Sequence, residues 1–156
     1  MTSPSPQPTA LLGKFSQLLS STRRGARLAR LLSSQQLHTW GVHPDVIERA
    51  EHIVAELASN AVTHGQVRGR DFRVALALDA ATGTLRIEVT DARGEQRPAT
   101  GRPVQPAPCD ESGRGLLLIA ALADRWGTDP YPPTGKTIWA ETYLGPTSTE
   151  TSHVRR

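Results

Sequence analysis

Two alternating segments near the middle of the chain constrain its fold more than any other feature of the sequence. Apolar residues occupy every second position of both segments; these are Phe72, Val74, Leu76 and Leu78 in the first and Leu85, Ile87 and Val89 in the second. A period of two is typical of a strand with one buried face. Because the linker Ala80-Ala81-Thr82-Gly83 is typical of a tight turn, the pattern predicts a β-hairpin.

Helical patterns precede the hairpin. Pro44 suits the first turn of a helix, and at about 100° per residue one broad apolar arc follows it. The arc consists of Val46, Ala50, Ile53, Val54, Leu57, Ala58 and Ala61. An earlier helix is predicted to start at a Ser21 or Thr22 cap and to end at Gly41. Its predicted buried stripe is Leu28, Leu31, Leu32 and Leu37.

The remaining elements complete the predicted fold class. Residues 14–19 indicate a short first strand, and residues 116–123 indicate an apolar helix buried against a sheet. Two further strands are expected near residues 124–129 and 136–142. This set of elements predicts an α+β fold, a two-layer α/β sandwich in which helices cover one face of a mixed sheet.

The length of 156 residues fits a single domain. We predict that residues 13–144 form this domain and that the ends, 1–12 and 145–156, are disordered tails because they are rich in Pro, Ser and Thr. The first residues lack the charged and apolar parts of a secretion signal, and no apolar run approaches the ~20 residues of a membrane span. These features favour a cytoplasmic protein that does not bind membranes.

Cysteine content and charge narrow the function classes. Cys109 is the only cysteine, which excludes an internal disulfide and a thiolate zinc cluster. The formal net charge is +3, and Arg23, Arg27 and Arg30 share one face of the first predicted helix. Such a face could meet nucleic acid or an acidic protein. A solvated helix surface is the simpler interpretation, so we expect no direct binding of nucleic acid.

Three polar residues run along the edge of the apolar arc. Glu56 and Asn60 are one helical turn apart, and His64 follows one turn later. A helix that only packs more often carries Lys, Arg or Ser at such positions. On this segment alone, a solvated flank with His64 as a cation at the helix end is an equal alternative.

Further motifs follow in a fixed order. Asp91 stands where the second hairpin strand stops, Gly113-Arg114-Gly115-Leu116 opens the apolar helix, and Gly135-Lys136-Thr137 begins the final strand. Together with Glu56 and Asn60, this order resembles the ATP-binding (Bergerat, GHKL) fold shared by DNA gyrase, histidine kinases and bacterial anti-sigma-factor serine kinases. The resemblance spans residues 14–143, and the single-domain length resembles the last group most.

The resemblance implies roles for these residues. Asp91 would accept a hydrogen bond from the adenine amine, with the Thr137 hydroxyl near the same ring, and Asn60 would bind Mg²⁺. Glu56 would orient or deprotonate the attacking hydroxyl. The start of the apolar helix would offer backbone N–H groups to phosphates. The implied ATP-binding positions are Asn60, His64, Asp91, Gly94, Gly113, Arg114, Gly115, Leu116 and Thr137.

Two departures from the family pattern accompany this resemblance. Relatives usually place a glycine two residues after the strand-end Asp, whereas Gly94 comes three residues after Asp91. Glu111 stands where some anti-sigma kinases carry a cation, and the resemblance leaves Arg114 as an alternative source of that charge. Residues 92–112 contain four prolines, so we predict no regular element there. Their position favours a lid over bound nucleotide, with a surface insertion as the alternative.

The resemblance also implies a function. It predicts a serine/threonine protein kinase that phosphorylates an anti-sigma-factor antagonist, sequesters a sigma factor and forms a homodimer, with ATP and Mg²⁺ as cofactors. A nucleotide-dependent module that binds a partner without phosphorylating it is the main alternative. A detached histidine-kinase catalytic domain ranks last, because no pair of dimerising helices with a phospho-accepting His is visible.

Overall fold

The computed structural model describes residues 13–64, 70–92 and 111–145, which form five strands and three helices. In chain order these are β1 (Gly13–Leu19), α1 (Arg23–Thr39), α2 (Pro44–Thr63), β2 (Phe72–Asp79), β3 (Thr84–Asp91), α3 (Glu111–Leu122), β4 (Arg125–Tyr131) and β5 (Gly135–Tyr143). Every predicted element is present, with bounds shifted by a few residues. The two-layer α+β fold is confirmed.

The described strands form one sheet in the order β1-β2-β3-β5-β4. All four pairings between them are antiparallel, so the expectation of a mixed sheet is wrong. The physical reason lies in the last two strands. β4 runs parallel to β3, but β5 returns between them and opposes both, so no two parallel strands are neighbours.

The central hairpin matches its sequence pattern. All seven of its alternating apolar residues are buried, and β2 and β3 pair in register from Arg73 opposite Thr90 to Asp79 opposite Thr84. Gly83 takes a φ of 62° in the turn, a conformation that glycine adopts without steric cost. The pattern thus fixed both the strands and the face of the sheet that they bury.

α2 is the central helix of the helical layer. Pro44 occupies its first turn and Asp45 adds a favourable negative charge there. The helix packs against α1, α3 and strands β2, β3 and β5. Its predicted apolar arc is confirmed, because all seven residues of the arc are buried.

α1 begins and ends as predicted. The Thr22 side chain caps the helix by accepting a hydrogen bond from the Gly25 backbone N–H at 3.0 Å. After the C-cap residue Trp40, Gly41 turns the chain with a φ of 70°.

The predicted buried stripe of α1 is wrong in part. Leu37 is buried, but Leu31 is 62% exposed and Leu28 is 37% exposed. The residues that α1 buries besides Leu37 are the small ones Gly25, Ala29 and Ser33. Small side chains at four-residue spacing let a helix approach its neighbours closely, and this contact outweighs the greater hydrophobicity of leucine.

α3 is less buried than its composition predicts. Ile119 is fully buried, whereas Leu117 is 61% and Leu118 is 39% exposed. Glu111 and Ser112, at the end of the predicted lid, form the start of this helix. Residues 93–110 of the lid and the tails 1–12 and 146–156 lie outside the described residues. Within the described ranges, no helix is both long and apolar enough to span a membrane.

Candidate functional site

Glu56 and Asn60 lie on α2 at the border of its buried face. Both are half-buried, while their neighbours Leu57 and Ala61 are almost fully buried. Burial of these apolar neighbours fixes the rotation of the helix, and the one-turn spacing then places both polar side chains on the same flank. The sequence prediction that they lie side by side at the edge of the apolar arc agrees with this placement.

Gly115 of α3 lies directly against this pair. A Cβ atom at Gly115 would stand 3.0 Å from Glu56 Oε2, 3.5 Å from Asn60 Oδ1 and 3.6 Å from Asn60 Nδ2. The first distance is tighter than an ordinary van der Waals contact, so the absence of a side chain lets α3 approach α2 here. The structure therefore brings together three of the sequence-predicted site residues.

The start of α3 differs from the expectation. The helix begins at Glu111, so Gly113 and Arg114 belong to its first turn and Gly115 to its interior. The N–H groups left free by helix geometry are those of residues 111–114, and the N–H of Gly115 is not among them. Leu116 is partly buried against the hydrophobic core, which gives it a packing contact.

His64 marks the end of α2. It is half-buried, is the C-cap residue, and its backbone N–H donates to the Asn60 carbonyl at 2.8 Å. The carbonyl oxygen and the side chain of Asn60 are thus both close to the helix end. Gly65, which follows His64 in the chain, and Gly94, one of the implied ATP-binding positions, lie outside the described residues.

Asp91 is the last residue of β3 and is only 5% exposed. The register of β3 and β5 places Lys136 directly opposite, and Lys136 Nζ lies 3.8 Å from Asp91 Oδ2. Both side chains are nearly inaccessible, at 4% for Asp91 and 6% for Lys136. The predicted strand-end carboxylate is therefore one half of a buried ion pair.

Thr137 does not share the surroundings of Asp91. In register it faces Thr90, and the two hydroxyl oxygens are 2.7 Å apart. Side chains alternate between the faces of a strand, so Thr90 and Thr137 point away from the face that holds Asp91 and Lys136. The burial of Lys136 was not predicted from the sequence, although its alternation with Ile138 and Ala140, which are both buried, indicated the helix-facing side of β5.

On the face that the described helices leave uncovered, Arg86 joins β3 to β5. Its guanidinium donates to Glu88 Oε1 and to Glu141 Oε1, both at 2.7 Å, and lies 4.4 Å from the centroid of the Trp139 ring. Burial acts to lower the pKa of Arg86, but the hydrogen bonds and negative charges of the two glutamates outweigh it, so the pKa is raised. These contacts support the strand pairing that sets Asp91 opposite Lys136.

Comparison with known proteins identifies the family. The family model of the histidine kinase-like ATPase domain matches residues 19–142. The chain belongs to this family. Family membership implies ATP as the ligand, and the matched range contains every described residue of the candidate site. No curated protein matches the chain.

Two solved structures are similar to this histidine kinase-like ATPase domain. The RsbU and RsbW domains of Rv1364c from Mycobacterium tuberculosis align at 22% identity with a TM-score of 0.64, covering 84% of this chain and 32% of that one. The chain therefore spans about a third of that protein's length. The SiaB-SiaC complex from Pseudomonas aeruginosa aligns at 15% identity with a TM-score of 0.61, covering 81% and 88%. At these identities the likeness shows the fold alone.

The described residues suit a magnesium nucleotide. Mg²⁺ prefers oxygen ligands and retains several waters, so a single carboxamide oxygen such as Asn60 Oδ1 can complete a site with phosphate oxygens. Gly115 lets the backbone of α3 pack against Asn60 and Glu56. This flank of α2 thus presents a carboxamide and, one turn away, a carboxylate, both close to α3.

Proposed function

We propose that this histidine kinase-like ATPase domain is a serine/threonine protein kinase of the anti-sigma regulator type. Its substrate is the serine or threonine of an anti-sigma-factor antagonist, and it sequesters a sigma factor as a homodimer in the cytoplasm. ATP and Mg²⁺ are its cofactors. The observation that carries the proposal is the contact of Glu56 and Asn60 with Gly115, because it unites a candidate base and a candidate metal ligand on one flank.

Each residue then has a distinct part in the reaction. Bound Mg-ATP supplies the phosphoryl group. Asn60 Oδ1 serves as a metal ligand, and Asp91 accepts a hydrogen bond from the adenine amine. Glu56, one turn from Asn60, orients the incoming hydroxyl and accepts its proton. This division of roles separates nucleotide binding from transfer, which makes the proposal testable by substitution.

The test is transfer from labelled ATP to proteins recovered with this chain from its native cell, followed by mapping of the phosphorylated residue. Glu56→Ala should retain Mg-ATP binding and the sigma-factor complex, while transfer falls by on the order of 10²-fold or more. Glu48→Ala is the matched control, because Glu48 is an exposed glutamate two turns earlier on the same helix. Undiminished transfer by Glu56→Ala would remove the proposed role of Glu56.

A nucleotide-dependent module that binds its partner without transfer is the second candidate. The exposed leucines Leu28 and Leu31 on α1 favour it. Exposed apolar side chains beside arginines suit a surface that binds a partner protein without phosphoryl transfer. This candidate predicts that no recovered protein is labelled and that Glu56→Ala changes nothing. Labelled ATP therefore decides between the two candidates in one experiment.

A further inference from the structure

The positive charge of this protein is concentrated near one end of its sequence. The first acidic residue is Asp45, so the 44 residues before it contain five of the 18 Lys and Arg and none of the 15 Asp and Glu. The rest of the sequence contains more acidic than basic residues, and the formal net charge of +3 therefore comes from the first segment alone. Four of its five cations, Arg23, Arg24, Arg27 and Arg30, lie on α1.

α1 exposes two leucines among these charges. Leu31 is 62% exposed and Leu28 is 37% exposed. At about 100° per residue, Arg24, Arg27, Leu28 and Leu31 fall within one arc of about 100°, opposite the residues that the helix buries. We call these four residues the α1 strip. The strip faces away from α2 and the sheet.

The arginines of the α1 strip have no ion-pair partner among the residues that the structure describes. No described salt bridge includes Arg24 or Arg27, whereas Arg30 reaches α2, where its guanidinium lies 3.9 Å from the Glu51 carboxylate. α1 itself contains no acidic residue, so no pair along the helix neutralises the strip. Its charge is therefore open to another molecule.

These arginines stand where they weaken their own helix. The N-terminus of a helix carries a partial positive charge, so acidic residues stabilise the first turn and cations oppose it. The first turn of α1 contains Arg23 and Arg24 and no acidic residue. Arg27 follows one turn later, and like charges at this spacing repel each other. An arrangement that costs helix stability without any gain inside the fold is expected at a surface that binds.

The combination of arginine and leucine fits a protein better than a nucleic acid. A guanidinium donates paired hydrogen bonds to carboxylates and is more weakly hydrated than an ammonium, so it suits protein interfaces. Leu31 gains by burial against an apolar side chain, which a phosphate backbone does not offer. The complementary surface therefore carries carboxylates around an apolar side chain.

We propose that the α1 strip binds an acidic segment of a partner protein. Carboxylates of that segment pair with Arg24 and Arg27, and an apolar side chain packs on Leu28 and Leu31. The interaction uses neither nucleotide nor Glu56, so it goes beyond the proposed phosphoryl transfer. Because the charges are exposed, the complex should weaken as the salt concentration rises.

The test is photo-crosslinking of the full chain in its native cell. Leu31→p-benzoylphenylalanine should crosslink to a segment of another protein with a net negative charge. Leu117→p-benzoylphenylalanine is the matched control, because Leu117 on α3 is 61% exposed. Adding Arg24→Glu should lower the yield at residue 31 by on the order of tenfold. Arg23→Glu makes the same charge change in the same turn but outside the strip, and it should lower the yield much less.

Urea titration of the purified Arg23→Glu and Arg24→Glu variants separates binding from folding. A negative charge in the first turn is favourable, so both variants should keep or raise the urea midpoint. A yield that falls only in Arg24→Glu, while neither midpoint falls, supports the α1 strip as the contact. Equal loss of yield in both variants overturns it, because the loss then follows the total charge.

The identity of the crosslinked molecule decides the inference without any charge variant. No crosslinked protein at residue 31, a neutral or basic segment, a second copy of this chain, the chain's own residues or nucleic acid would each overturn it. Recovery of the same segment at residue 117 would do so as well. If the acidic segment is recovered and also persists in Glu56→Ala, while the wild-type chain transfers no label from ATP, the proposed function alone is overturned.

Discussion

Gly115 lies so close to Glu56 that a methyl group on its Cα would stand 3.0 Å from the Glu56 Oε2 atom. This closeness brings the backbone of α3 against the flank of α2 that carries Glu56 and Asn60. A substitution at Gly115 therefore acts on the site and on helix stability in opposite directions.

Gly115→Ala should separate these two effects. Alanine inside a helix is favoured over glycine by about 0.5–1 kcal/mol, so the free energy of unfolding should stay level or rise in urea titration. The added methyl group must displace the Glu56 carboxylate by a few tenths of an ångström, and we expect phosphoryl transfer to fall by on the order of tenfold. In the background of Glu56→Ala, the same substitution should have no further effect on transfer. Unchanged transfer by Gly115→Ala would show that the position of Glu56 is not critical.

Asn60→Ala should weaken Mg-ATP binding. If Asn60 Oδ1 is a magnesium ligand, its loss should lower affinity by roughly tenfold or more, about 1.4 kcal/mol, and should reduce the dependence of affinity on Mg²⁺. Isothermal titration with and without Mg²⁺ measures both quantities. Ser59→Ala, at the exposed neighbouring position, is the control and should bind as the wild type does. Wild-type affinity in Asn60→Ala would place the metal elsewhere.

The corrected packing of α1 makes a prediction about stability. Leu37 is fully buried and Leu31 is 62% exposed, although the two belong to one helix and have the same side chain. Leu37→Ala should lower the free energy of unfolding by about 2–5 kcal/mol, whereas Leu31→Ala should change it by about 0.5 kcal/mol or less. Urea denaturation of both variants measures the contrast. Equal losses would contradict the packing of α1 described above.

Arg86→Met should weaken the sheet while leaving the site intact. The substitution removes the contact with Trp139 and both ion pairs to the glutamates, which together stabilise the fold by about 1–2 kcal/mol at a half-buried position. Mg-ATP affinity should change little, because Arg86 lies on the face opposite to Asp91. Arg73→Met, at an exposed position on β2, is the control for loss of one positive charge. A large loss of affinity in Arg86→Met would indicate that the two faces are coupled.

The sequence predicted the strands well because burial on one face leaves a direct signature. Phe72 and the apolar residues at every second position after it indicate which face of the sheet is covered. No contact between distant parts of the chain is needed to interpret this pattern. The apolar arc of α2 was predictable for the same reason. Thr22 and Gly41 also acted through their immediate neighbours in the chain, as a cap and as a turn residue.

The buried face of α1 was not predictable from hydrophobicity. Gly25, Ala29 and Ser33 are buried because they are small, whereas a hydrophobic stripe ranks Leu28 and Leu31 above them. Whether a helix packs through small or large residues depends on how close its neighbour lies, and that distance is a property of the tertiary structure. The sequence has no local signal for it.

The candidate site shows the same division. Glu56, Asn60 and Asp91 could be proposed from the sequence because each lies at a recognisable point of its own element, a helix flank or a strand end. The pairing of Asp91 with Lys136 depends on the register of two strands that are far apart in the chain. A shift of that register by one residue would bring Thr137 to the position of Lys136, and the sequence alone did not determine the register.

The position of β5 between β3 and β4 also affects how the protein is synthesised. On the ribosome, β3 and β4 emerge before the strand that joins them, so Asp91 ends an open sheet edge until residues 135–143 have been translated. β4 pairs with β5 alone in the described sheet. It therefore has no strand to pair with until β5 has been synthesised. A nascent chain that stops after Tyr131 lacks Lys136, so the buried ion pair between Asp91 and Lys136 can form only after the last strand has docked.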